Sequence, residues 1–237
     1  MLIEFLGLPG SGKSTLSRLL AEHFVTCGQQ VGEPTYTLAH ELSHPARLRA
    51  KLRLVGSFIA RHPHLAASDL LAIRRTRQAS PSEARKLAFN WLYIASLCTD
   101  RPASSTVTIL DQGIAQAVWS VALSARRKTW LKLLTRIRWC EAAAPHLVVR
   151  VHADPAILAP RLDARCQRAS RMDHLGGDLA ALRRADAICD VITARVRATG
   201  IEVLDVVSNV PEDLTTSLSR IGDVATALVA KPCPPAA

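Results

Sequence analysis

A chain of 237 residues that is 49% apolar is long enough to bury a large core and too hydrophobic to stay disordered. Its formal charge of +10 suits an anionic ligand, yet no long basic block marks a nucleic-acid tail. No apolar stretch reaches the roughly 18 residues that a membrane span needs.

The six cysteines (Cys27, Cys98, Cys140, Cys166, Cys189 and Cys233) are scattered with no C-x-x-C pair. They predict free thiols and a reducing cytoplasm, with no signal peptide ahead of the first strand.

That strand is expected over Leu2–Leu6, interrupted in its apolar run by Glu4. Gly7-Leu8-Pro9-Gly10-Ser11-Gly12-Lys13-Ser14 then fits G-x-x-x-x-G-K-[ST] in full. Thr15–Thr26 predicts a helix, because Leu16, Leu19, Leu20 and Phe24 recur at helical spacing and Gly28 stops the pattern. Strand, glycine loop and helix in this order make a phosphate cradle. The loop turns successive N–H groups toward one centre, and the helix start adds more. Gly7, Pro9, Gly10, Ser11, Gly12 and Thr15 belong to the cradle. Lys13 is expected at the β/γ-phosphates, and Ser14 is expected to hold Mg²⁺.

A short second strand, Gln30–Gly32, ends at Glu33-Pro34, where the proline argues against an uninterrupted helix or a central strand. Three helical segments follow, at about 45–61, 66–78 and 80–97. Ser80-Pro81-Ser82-Glu83 supplies a cap, a first-turn proline and a capping-box acid for the third. After a loop at 100–105, Val107–Leu110 reads as a strand ending in Asp111. Helices are expected at about 114–125 and 129–141, with apolar positions that suit either core packing or a homodimer. The strand Leu147–Val151 leads into an arginine-bearing helix at 155–172 and a helix at 178–198 closed by Gly200. A last strand, Ile201–Val206, is followed by a helix from Pro211 to Val229 and a disordered tail, 231–237. Strands alternating with helices predict a parallel sheet covered on both faces. A single domain over 1–230 is expected, with the helical insertion at about 40–100 walling the carboxyl ends of the strands.

Asp111 ends a central strand, where its carboxylate either holds Mg²⁺ or takes a substrate proton; a helix cap is compatible with the first role. Glu33 is placed as base or anchor for an acceptor opposite the phosphate loop. Arg161, Arg165 and Arg168 share one helix face, with Arg171 beside them, and such a cluster suits the charge that develops in phosphoryl transfer. Arg77, Asn90, Gln112, Gln116 and Arg171 are candidate acceptor contacts, with Gln112 and Gln116 both directed into the cleft. Trp91 and Tyr93 are expected in the core. The histidines form no H-E-x-x-H helix, so no catalytic zinc is expected.

The chain resembles the P-loop kinases of small metabolites, especially the nucleoside and nucleotide kinase branch that includes thymidylate kinase. The likeness rests on Gly7–Ser14, on Val31-Gly32-Glu33-Pro34, on Leu110-Asp111-Gln112-Gly113, and on the run from Asp154-Pro155 through Arg161, Arg165, Arg168 and Arg171. It implies a three-layer α/β/α P-loop NTPase fold with a five-stranded parallel sheet and an arginine-rich lid at about 158–176. It implies ATP and Mg²⁺ as cofactors, lid arginines that close over the transferred group, and adenine contacts at Val207, Ser208 and Asn209. The expected partner is a small phosphoryl acceptor, with no nucleic acid and no membrane. Gln112 stands where the family carries an arginine, which leaves sugars and other hydroxylated metabolites beside nucleosides as acceptors. A guanine switch is disfavoured, since no N-K-x-D element is present.

Overall fold

The computed structural model describes residues 1–99, 106–137, 146–164 and 178–230. Five parallel strands form one sheet: β1 (Leu2–Gly7), β2 (Val31–Gly32), β3 (Val107–Leu110), β4 (His146–His152) and β5 (Glu202–Val207), in the order β2-β3-β1-β4-β5. The register sets Ile3 beside Ile109 and Leu147, and Val149 beside Leu204. β1 lies at the centre, flanked by β3 and β4. The phosphate loop therefore leaves the sheet at its topological switch point, where crevices open beyond the strand ends.

The pleat divides the core in two. Leu2, Leu6, Leu110 and Val148 pack on one face with α5 (Pro81–Thr99), α6 (Ile114–Leu123) and α8 (Leu179–Arg197). Ile3, Phe5, Ile109, Leu147 and Val149 face α1 (Lys13–Thr26) and α9 (Pro211–Ala230). The near-continuous apolar runs of β1 and β4 follow from burial on both faces. Glu4, on the α6 side, is fully buried and is held by polar partners. His146 Nε2 lies 3.0 Å from one of its oxygens, and Ala115 N–H donates to the other at 3.0 Å.

The insertion between β2 and β3 is helical as expected: α3 (His44–Arg61), α4 (Pro63–Arg75) and α5. Ser80 caps α5 through its hydroxyl, which accepts from Glu83 N–H at 3.1 Å. Trp91 anchors the insertion. Its ring is fully buried, and its N–H donates to Asp69, which also binds Arg136 at 2.5 Å.

Two expectations need correction. No helix is expected directly after β2, yet Pro34 opens α2 (Pro34–His40), sitting in its first turn, where its missing N–H has no intrahelical role. The segment after α6 is a 3₁₀ helix, Lys128–Arg136, not an α-helix from 129. Of the two expectations for the apolar positions of α6, core packing is what they serve here: Ile114, Ala115, Ala117, Val118, Trp119, Val121 and Ala122 are buried against this chain's own elements. The 165–172 part of the arginine helix, Cys140, Cys166, Cys233 and the tail 231–237 lie outside the described residues. Cys27 and Cys189 are free thiols, and burial pushes the Cys189 thiol up to about 12. No described helix is long and apolar enough to cross a membrane.

Candidate active site

The phosphate loop turns on two left-handed glycines, Gly10 (φ 86°) and Gly12 (φ 85°), a conformation that a side chain at either position would strain. The first helical backbone bond at its end runs from Leu16 N–H to Gly12 O, 2.9 Å. The N–H groups of Lys13, Ser14 and Thr15 thus precede the intrahelical ladder and face the loop's hollow. Lys13 lies beneath the loop, its ammonium donating to Gly7 O (2.8 Å) and Leu8 O (2.7 Å). The loop borders a cavity of about 340 Å³ lined by Gly10, Gly12, Lys13, Ser14, Thr15, Arg161, Ser208 and Leu214. That volume and its ring of backbone donors fit a nucleotide.

Ser14 Oγ donates to Asp111 Oδ2 at 3.3 Å, bringing together the two residues read from sequence as metal ligands. A hydroxyl and one carboxylate suit Mg²⁺, which keeps waters and phosphate oxygens in its other positions. Among the described residues no cluster of three or more His, Cys, Asp or Glu forms a denser metal site.

Glu33 stands at the end of β2 on the acceptor side. Arg18, one helical turn beyond Ser14, donates to Glu33 Oε2 at 2.8 Å and lies 4.9 Å from the Tyr36 ring centroid. Burial pushes the Glu33 carboxyl up; Arg18 pulls the other way, while the charges of Glu22 and Asp111 add to the rise. Lys51 of α3 sits over the Tyr93 ring, 4.4 Å from its centroid. Burial raises the Tyr93 hydroxyl, and the Asp111 charge adds to that effect. The Asp111 charge acts on Glu33 ahead of α2, on Lys51 of α3 and on Tyr93 of α5, so these elements gather on its side of the sheet. Sequence reasoning missed Arg18, Tyr36 and Lys51, which carry no motif; Tyr93 is buried in the core as expected, and its ring also meets Lys51.

Other expected site residues are placed differently. Gln116 is buried, and its amide oxygen accepts from Gly7 N–H at 3.0 Å. It braces the phosphate loop and is not paired in the cleft with Gln112, which is exposed. Arg161 lines the cavity, but its guanidinium donates to Ser208 O (2.9 Å), Asn209 O (2.9 Å) and Gly10 O (3.4 Å). It ties the β5–α9 turn to the phosphate loop, because three carbonyls take its donors. Ser208 packs against Gly12, and Asn209 Oδ1 accepts from Asp154 N–H. Arg77 lies beside Arg126, past the far end of α6. Ten residues of α6, about 15 Å, separate it from the Asp111 turn. Asn90 is half-buried on α5, one turn before Tyr93. Arg165, Arg168 and Arg171 lie outside the described residues.

The Asp111 turn is fixed from below. Glu4 holds the α6 start through Ala115 N–H, and a Cβ at Gly113 would lie 1.8 Å from Glu4 Oε2. Gly113→Ala is expected to displace Glu4 and cost about 3 kcal/mol, the upper end for overpacking. A urea midpoint unchanged from wild type would show that the turn accommodates the methyl group.

No family model matches the sequence, and no curated protein matches it. Solved structures do. The YorR protein of Bacillus subtilis, crystallised with phosphorylated GDP, is similar at a TM-score of 0.51 and 13% identity, covering 98% of this chain and 100% of that one. The deoxyadenosine kinase of M. mycoides, solved with the products dCMP and dCDP, is similar at 0.54 and 11% identity, covering 96% and 99%. The five-stranded parallel sheet with helices on both faces is the P-loop kinase fold.

Proposed function

We propose that this P-loop protein is an ATP-dependent kinase that transfers the γ-phosphoryl group to a small hydroxylated acceptor, a nucleoside or nucleoside monophosphate. One observation carries the reading. Ser14 and Asp111 meet at 3.3 Å at the edge of the phosphate cradle, and Glu33 lies within reach of the Asp111 charge. A hydrolase needs only the first half of that arrangement, whereas a kinase needs both.

The roles follow from charge and position. The backbone donors of Gly10–Thr15 and the Lys13 ammonium hold the donor phosphates, with Ser208 and Asn209 at the nucleoside end. Ser14 and Asp111 would hold Mg²⁺, which would neutralise charge on the donor phosphates. Glu33 accepts the acceptor's hydroxyl proton through the oxygen that Arg18 leaves open, as that hydroxyl attacks the γ-phosphorus and ADP leaves. Arg165 and Arg168 neutralise the transferring group, and Arg171, Asn90 and Gln112 contact the acceptor. The protein works as one cytoplasmic domain over 1–230, with the 40–100 insertion over the acceptor and a lid at about 158–176.

The test is product formation. With ATP–Mg²⁺ alone, turnover is expected to be slow; with a panel of nucleosides, their monophosphates and sugars, one member becomes phosphorylated in equal amount to the ADP formed. ADP and free phosphate across the whole panel would sink the proposal.

The pH profile tests Glu33 separately. Burial raises its carboxyl, so the ionised base is lost at a pH above the ordinary carboxylate range as the solution is acidified. The acid limb of kcat/KM is expected there, and Glu33→Gln should remove it. A limb that persists in that variant would move the base role elsewhere. The same raised carboxyl holds its proton in the folded chain after the unfolded chain has released it. Its contribution to stability therefore declines as pH rises through that window.

A further inference from the structure

The acceptor side contains a cation without an anion. Lys51 of α3 is half-buried, with its ammonium over the Tyr93 ring at 4.4 Å and within reach of the Asp111 charge. No described residue forms a hydrogen bond or ion pair with it, and its ammonium rests on the Tyr93 ring face. Asp111, whose charge reaches it, is bonded to Ser14 and stays beyond ion-pairing distance. Arg47, one turn earlier on α3, adds a second positive charge; it is half-buried, and it donates to Ala39 O at 3.0 Å. Burial and the Arg47 charge both push the Lys51 ammonium down.

Two neighbouring cations in a partly desolvated place are unfavourable unless an anion joins them. The Tyr93 ring attracts an ammonium weakly, about 0.5–2 kcal/mol, and leaves its three N–H donors without an oxygen acceptor. The Asp111 charge acts on both Lys51 and the proposed base Glu33, so a molecule bound beside Asp111 can meet both.

We propose that Lys51, with Arg47 beside it, is the specificity-determining anion site of the acceptor pocket, and that the acceptor carries a phosphate monoester or a carboxylate in addition to the hydroxyl it presents. The inference rests on the kinase reading for the word acceptor, while the anion site itself stands on the geometry of α3 and α5. A neutral nucleoside or sugar leaves Lys51 without an oxygen ligand and is discriminated against. The acceptor binds beside Asp111, its anion at α3 and its hydroxyl toward Asp111 and Glu33.

Lys51 is one of six lysines, so its exposure to an amine-acetylating reagent can be followed by peptide mass spectrometry on the intact chain. The chain is first saturated with ADP–Mg²⁺, which keeps added anions off the phosphate loop. Inorganic phosphate and acetate are then compared with sodium chloride at equal ionic strength, with the exposed Lys86 as internal control. Phosphate is expected to slow Lys51 acetylation at least fivefold and leave Lys86 unchanged, which assigns a phosphate monoester; protection by acetate in its place assigns a carboxylate. Equal responses of Lys51 and Lys86 in both arms overturn the proposal. In the transfer assay, Lys51→Gln is expected to raise KM for an anionic acceptor at least tenfold, with the KM for ATP unchanged and with partial recovery in Lys51→Arg. Transfer to a neutral acceptor with no lysine protection would end this inference and leave the kinase reading standing. Lysine protection with no transfer to any compound would do the reverse.

Discussion

Lys13→Ala is expected to reduce phosphoryl transfer by at least about 10²–10³-fold, the magnitude associated with removing one preorganised charge from a transition state. Lys13 is 9% exposed, and its ammonium is fixed under the loop by the carbonyls of Gly7 and Leu8. A charge already aimed at the phosphates needs no reorganisation when negative charge moves from the γ-phosphorus to the leaving oxygen. Alanine removes that charge and also the two bonds that tie the loop together, so ADP affinity should fall as well, by less than turnover. Arginine retains the charge, but its planar fork does not reproduce the approach of one ammonium to two successive carbonyls, so Lys13→Arg recovers little. Single-turnover transfer and ADP titration, with circular dichroism to confirm folding, separate these effects. Wild-type turnover in Lys13→Ala would remove the phosphate loop from the mechanism.

Asp111→Asn is expected to lower transfer by a similar factor and to raise the Mg²⁺ concentration needed for half-maximal rate. The substitution keeps the shape of the side chain and retains an oxygen for Ser14 Oγ, now at 3.3 Å from the carboxylate. What it removes is the negative charge, and a hard divalent cation held by one carboxylate depends on that charge. A Mg²⁺ titration therefore divides two roles that position alone leaves together. If the rate falls and the Mg²⁺ midpoint stays, Asp111 acts on the acceptor's proton and the metal assignment fails. Asp111→Asn combined with Glu33→Gln extends the division. Two groups acting in one proton transfer should give less than additive losses, and a metal ligand and a base should give nearly additive ones.

The contrast between Arg161 and Arg18 shows how much of this site was legible without coordinates. Arg161 belongs to a run of arginines whose spacing suggested a phosphate-facing helix side, yet its guanidinium is held by carbonyls of residues 208 and 209. Arg18 belongs to no such run, and it holds the candidate base. Helical spacing determines which side chains share a face. It does not determine which distant carbonyl or carboxylate that face meets.

The sequence by itself determined the elements whose cause is local. Glycines at fixed spacing before a lysine specify the cradle. Period-2 and unbroken apolar runs specify the strands. A strand ending in Asp111 puts a carboxylate at the sheet's rim, and Ser80 marks the start of α5. The tertiary structure alone decided what each polar group touches: Gln116 with Gly7, Glu4 with His146 and Ala115, Arg18 with Glu33, and Lys51 with Tyr93. These pairings join residues that are far apart in the chain, and nothing in local spacing encodes them. They arise because a parallel sheet brings the ends of β1, β2 and β3 to one edge, where a buried polar group must find a partner among whatever the fold has gathered there.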